Sequence, residues 1–278
     1  MKKLIVAAIL CTTLAACAGP RHVFHPSDAA LIPEKGPIKL IAPADRALII
    51  YTPGAADHTS IGRCTPDKPN SGSGIPNVLL DLAGTAIAGK TVTIDGYCSY
   101  ATGNFQGSTG GVSKAVVRAR DIEDLVRFYI AEGVPAGQIF LAGHSMGGWA
   151  ALEVARAGEV QIGGIIAFAP AHAWQKALRT PNHHTLQRES VDAVSRARRI
   201  DGLVFVFRND PFNDPDDLAP LAGVPAIDFV ALDNRVIDGV DCGRSFAHSM
   251  HRTECFRQTQ KPRISTFIER RLRATETP

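Results

Sequence analysis

This chain has almost no net charge, no apolar run long enough to span a bilayer, no C-x-x-C pair and no internal repeat. Each absence removes a class of function. Lys and Arg total 30 against 27 Asp and Glu, a formal +3, and two of the positive charges are Lys2 and Lys3. What is left provides no basic field for nucleic acid, and Arg196-Ala197-Arg198-Arg199 reads as the solvated face of a helix. The cysteine spacing excludes a zinc knuckle or a dithiol redox centre. His172, His183 and His184 have no cysteine or carboxylate at ligand spacing, so they are expected on a polar surface excursion, with no metal. No organic cofactor is implied either.

The compartment is written at the N-terminus. Lys2 and Lys3 head a short apolar stretch, Leu4 to Leu10, which reads as an export signal rather than a mature membrane span. Leu14-Ala15-Ala16-Cys17 resembles the lipobox of bacterial lipoproteins, which implies lipidation of Cys17 and removal of residues 1–16. Ala18 lacks the aspartate of inner-membrane retention, so the resemblance implies the outer membrane. An ordinary secretory signal cleaved nearby is the alternative. Residues 17–37 form a Pro-rich tether and 38–278 a single domain. Cys64, Cys98, Cys242 and Cys255 are an even set in an exported chain, which argues for disulfides. Sequence permits three pairings; Cys242 with Cys255 is the local one, leaving Cys64 with Cys98.

Strand and helix patterns alternate along the domain. Strands are expected at 47–51, 91–94, 139–142, 165–168, 203–207 and 227–232, and Pro76 to Leu82 reads as a short helix. Ile122, Leu125, Val126, Tyr129 and Ile130 keep helical spacing up to the stop at Gly133 and Pro135. A polar excursion runs from His172 to Arg199, and a closing helix carries Ile264, Phe267, Ile268 and Leu272 with Pro262 near its start. Such alternation implies a mostly parallel, doubly wound α/β sheet with helices on both faces. Gly84 to Thr91 matches the phosphate-loop expression G-x-x-x-x-G-K-[ST] letter for letter. That loop works only where a helix begins at the lysine, and the β-branched Thr91-Val92-Thr93-Ile94 predicts a strand there instead.

The stretch that carries chemistry is Gly143-His144-Ser145-Met146-Gly147. An apolar strand precedes it and the helical Trp149 to Ala155 follows. A serine exposed on a sharp strand-to-helix turn needs small neighbours, and Gly143, Gly147 and Gly148 supply them. With this pentapeptide and this order of elements, the chain resembles the α/β-hydrolase family from about Lys39 to the last helix. The resemblance implies seven or eight strands and no large cap domain. Ile38-Lys39-Leu40-Ile41 is the one candidate for the antiparallel strands that open the fold.

The resemblance also orders the site as Ser, acid, His. Ser145 is then the nucleophile. Asp210, in the turn after the 203–207 strand, is the first choice for the acid and Asp214 the second. His248 and His251 both precede the final helix and both remain open as the base, with His248 preferred for its place within the Cys242–Cys255 loop. The oxyanion would be held by the N–H of Met146 and by one from Tyr51-Thr52-Pro53-Gly54-Ala55, with Ala55 chosen and Gly54 in reserve. Trp174 is a candidate lining for an acyl pocket. The implied activity is hydrolysis of small carboxylic esters through an acyl-serine. Cleavage of a peptide or thioester bond, or a non-catalytic binding module on the same fold, are the alternatives.

Overall fold

The computed structural model describes residues 38–54, 74–97, 114–172, 175–243 and 245–276. Its strands are β1 (Arg46–Thr52), β2 (Ala86–Ile87), β3 (Lys90–Gly96), β4 (Ile139–His144), β5 (Gly164–Phe168), β6 (Gly202–Phe207) and β7 (Ile227–Leu232), with a small hairpin of β8 (Val236–Ile237) and β9 (Val240–Asp241). The helices are α1 (Asn77–Leu80), α2 (Lys114–Ala131), α3 (Met146–Ala157), α4 (Pro181–Ser195) and α5 (Glu254–Glu276). The first seven strands form one sheet in the order β2-β3-β1-β4-β5-β6-β7. Every pairing in it is parallel except β2 with β3.

Alternation along each strand sends side chains into two cores, one on each face. Ala47, Ile49 and Tyr51 of β1 join Phe168, Phe205 and Phe207 beneath α1 and α5. Leu48 and Ile50 go the other way and join Leu141, Val204 and Val206 beneath α2, α3 and α4. The apolar runs of the sequence are continuous because both faces are covered.

After β1 the chain adds β3 on one side, then crosses back to place β4 on the other. The direction in which strands are added to the sheet therefore reverses between β1 and β4, and the carboxyl ends of these two parallel strands lie side by side, with Thr52 paired to Gly143. A crevice at such a switch point is where parallel α/β sheets bind ligands.

Four expectations need correction. Ile38 to Ile41 is not a strand; Ile38 instead donates its N–H to Tyr129 Oη at 3.1 Å. The antiparallel edge is β2, inside the phosphate-loop match, where Ala88 and Gly89 turn at positive φ into β3 and no helix begins at Lys90. The excursion from His172 to Arg199 contains α4, capped by Thr180 and His183 with Pro181 at its start; the basic run follows that helix instead of lying on it. Pro262 sits well inside α5, which starts at Glu254. No helix among the described residues is long and apolar enough to cross a membrane.

Candidate active site

Ser145 closes β4 and caps α3 with φ 53° and ψ −120°, a conformation that L-residues avoid unless their surroundings enforce it. The surroundings here are close backbone contacts. A Cβ on Gly147 would lie 2.0 Å from the Thr52 carbonyl oxygen, and one on Gly143 would lie 2.3 Å from the Gly147 carbonyl carbon. Only glycine lets β1, β4 and α3 converge at this point. The strained residue is held by its own main chain. Its N–H donates to the Phe168 carbonyl at 3.0 Å, and its carbonyl accepts from Trp149 and Ala171 at 2.9 and 3.1 Å.

Asp210 follows β6 through a turn in which Asn209 takes φ 61°. It is buried, and the Phe212 N–H donates to its Oδ1 at 2.8 Å. The other oxygen, Oδ2, lies 2.8 Å from Nδ1 of His248, in a 3₁₀ turn spanning Ala247–Arg252. Nε2 of the same imidazole lies 2.8 Å from Ser145 Oγ. A hydroxyl, an imidazole and a carboxylate thus form one hydrogen-bonded chain across three distant segments. This arrangement can draw the proton from a serine hydroxyl and stabilise the resulting imidazolium.

The profile of the alpha/beta hydrolase family matches residues 65–261, more than half of the chain. The protein belongs to the α/β-hydrolase family. Among solved structures, a sugar hydrolase of Lactococcus lactis is similar at 15% identity, covering 86% of this chain and 94% of its own, with a TM-score of 0.52. A peroxisomal α/β-hydrolase of Saccharomyces cerevisiae is similar at 11% identity, covering 82% and 78%, also at 0.52. At these identities the likeness is one of fold. No curated protein matches the sequence.

Within this α/β-hydrolase the runner-up residues have other work. Asp214 pairs with Lys176 at 2.5 Å, and its Oδ1 accepts the N–H groups of Asp216 and Asp217, so it shapes the loop beyond Asp210. That loop is pinned by buried Asn213. It donates to the Pro170 carbonyl at 3.0 Å and accepts from Gln187 and Arg179 at 2.9 and 2.8 Å. His251 is fully buried. It stacks between His144 and Phe168, at 4.3 and 5.2 Å between ring centroids. Burial, then the neighbouring His144, Arg252 and His248, push its pKa well below the ordinary value for histidine.

Of the three histidines expected on a polar surface, His184 is exposed and the other two need correction. His172 is buried against Trp149, with ring centroids 4.3 Å apart, and burial pushes its pKa down to about 4. His183 is buried as well, and its Nδ1 accepts the Thr180 N–H at 3.1 Å to cap α4. Hydrophobic context around α4 outweighed the polar composition of that stretch. No cluster of three metal-ligating side chains occurs among the described residues.

Cys242 and Cys255 form a disulfide with Cα atoms 5.4 Å apart, closing the loop that carries His248. Cys17, Cys64, Cys98, Ala55 and Trp174 lie outside the described residues.

Two residues at the site went unread in the sequence. His144, the variable position of the pentapeptide, reaches the backbone of His248. Arg118 of α2 is fully buried and donates to the carbonyls of Pro53, at 2.9 Å, and Gly54. Those carbonyls follow the end of β1, where a Cβ on Gly54 would lie 3.2 Å from Ser145 Cβ. Nothing local in the sequence marks Arg118, and its separation of 65 residues from Pro53 hides the contact.

Proposed function

We propose that this protein is an exported, lipid-anchored serine hydrolase that cleaves small carboxylic esters through an acyl-serine intermediate. The observation that carries the reading is the unbroken chain from Ser145 Oγ through His248 to Asp210, with both links at 2.8 Å. Ser145 Oγ attacks the ester carbonyl carbon while its proton passes to His248 Nε2. The carbonyl electron pair moves onto oxygen, and Asp210 stabilises the imidazolium. Collapse of the tetrahedral species expels the alcohol, which takes the proton back from His248. Water then repeats the sequence on the acyl-enzyme and releases the acid.

The oxyanion falls to the Met146 N–H, at the positive end of α3, and to an N–H after β1, from Ala55 or Gly54. Export is supported by the leader up to Cys17 and by the Cys242–Cys255 disulfide, a bond that persists in oxidising compartments. The anchor at Cys17 would hold the enzyme on the cell envelope, on the periplasmic or outer side of the outer membrane. No nucleic acid partner or cofactor enters the reaction.

A fluorophosphonate probe tests the chemistry. The wild-type protein should gain one covalent adduct, mapped to Ser145, and should turn over p-nitrophenyl esters. Ser145→Ala should lose both while keeping its circular dichroism. An unlabelled wild type would leave the fold as a binding module, and turnover persisting in Ser145→Ala would overturn the nucleophile.

A further inference from the structure

His144 adjoins the nucleophile in sequence, yet its side chain is spent on the base. Its Nε2 lies 2.7 Å from the main-chain carbonyl oxygen of His248, 104 residues further along. A carbonyl only accepts, so Nε2 carries the hydrogen and the tautomer of His144 is fixed. Nδ1 is then an acceptor, and it faces Gly54. A Cβ at that glycine would lie 3.3 Å from this nitrogen and 3.2 Å from Ser145 Cβ. On other sides the ring meets His248 and His251, with centroids 4.7 and 4.3 Å away. Burial, followed by the charges that His248 and Arg252 can carry, keeps His144 neutral.

We propose that His144 is a positioning residue, which locks the main chain of the catalytic base to the elbow that bears the nucleophile. The inference rests on the triad described above and adds what sets its spacing. Asp210 holds Nδ1 of His248 and so orients the imidazole, but a ring can be correctly oriented and still stand too far away. Translation is governed by whatever holds the backbone of residue 248. Here the tie closes a ring: Ser145 Oγ to His248 Nε2, through the His248 side chain to its carbonyl, across to His144 Nε2, and back along one peptide to Ser145. The gap between nucleophile and base is therefore set within one small cycle, independent of distant packing. The neutral state suits the task, because a second imidazolium 4.7 Å away would oppose the charge that His248 takes from Ser145.

The geometry also says which replacements will serve. A glutamine amide nitrogen sits at about the reach of Nε2 and donates; asparagine falls short, and leucine donates nothing. The test is steady-state hydrolysis of a p-nitrophenyl ester by His144→Gln, His144→Asn and His144→Leu. Each is checked for fold by circular dichroism, and the Nδ1 proton of His248 is followed by proton NMR. We expect His144→Leu and His144→Asn to lose roughly 10- to 100-fold in kcat, the scale of a misplacement near 1 Å, with KM within about twofold. Their His248 proton resonance should shift or broaden. His144→Gln should recover to within about fivefold of wild type with its resonance restored. Equal kcat in the Gln and Asn variants, at whatever level, would overturn the proposal, as would a loss confined to KM. That Gln–Asn comparison stands even if His144→Leu does not fold. A wild type that takes no fluorophosphonate label would instead bring down the triad, and this inference with it.

Discussion

Replacing His251 with phenylalanine should flatten the dependence of stability on pH while leaving catalysis almost intact. His251 is fully buried, and neither ring nitrogen has a hydrogen-bond partner among the described residues. Burial and the surrounding His144, Arg252 and His248 hold its folded pKa well below 6.5, and His144 and His172 are depressed in the same direction. The sign follows from proton counting. Below pH 6.5 the unfolded chain binds protons at these imidazoles and the folded protein does not, so stability is lost as pH falls. The loss continues down to the folded pKa, which for His172 is about 4. Each such histidine adds about 1.4 kcal/mol per pH unit, so the three together give a slope of about 4. His251→Phe should remove about a third of it. At neutral pH the change should stay within about 2 kcal/mol, because relief of two unpaired nitrogens opposes the overpacking of a larger ring. Urea unfolding at half-unit steps from pH 7.5 to 5 measures the slope directly. Parallel curves for variant and wild type would refute the reasoning. On the same protein, kcat/KM should remain within about tenfold, whereas His248→Ala should lose on the order of 10⁴. The reverse ranking would move the base to His251.

Asp210→Asn should lower kcat by about 10³- to 10⁴-fold, since an amide can present its N–H to His248 Nδ1 and favour the wrong tautomer. Asp214→Asn, at a half-exposed pair with Lys176, should change kcat less than about threefold and stability by no more than about 1 kcal/mol; the opposite order in kcat would exchange the two roles. Cys17→Ser should shift the protein from the membrane to the soluble fraction, because acyl chains on that cysteine are the proposed anchor. Equal partitioning of mutant and wild type would remove the anchor.

The fold was legible because its signals are local. Runs such as Leu203-Val204-Phe205-Val206-Phe207 announce a strand buried on both faces, and the seven-stranded, mostly parallel sheet follows from their alternation with helices. What escaped depends on partners far away in sequence. β2 is two residues long and exists only through its pairing with β3, so no periodicity marks it. The polar letters of 181–195 hid a helix, although Thr180-Pro181 is an N-terminal signal that was there to be read. At the candidate site, Ser145 is marked by its pentapeptide, while Asp210 was preferred for its place in the turn that ends β6, with Asp214 in the same loop left open. His248 and His251 could not be separated, because both precede α5. The structure separates them by what each ring meets: that of His248 reaches Ser145, and that of His251 lies between His144 and Phe168.

The three segments of the site are fixed by different physics, and that difference governs how each will fail. Ser145 is placed by backbone collisions that only Gly143 and Gly147 avoid, so a side chain at either glycine acts on the fold itself. The Asp210 loop is placed by buried Asn213; truncating that side chain takes away the donor to the Pro170 carbonyl and the acceptor for Gln187, a penalty of about 1–3 kcal/mol for each buried partner left unpaired. The His248 loop is closed by a covalent bond. Closing it through Cys242 and Cys255, 13 residues apart, is worth about 3 kcal/mol in the loop-entropy estimate. That constraint acts mainly on the unfolded chain. It ties the base to α5 and leaves its distance from the elbow undefined. In the proposal above, the His144 hydrogen bond sets that distance. Reduction of the disulfide should therefore lower stability first and kcat little until the loop opens. Loss of the His144 donor should do the reverse, slowing the chemical step in a protein that is still folded.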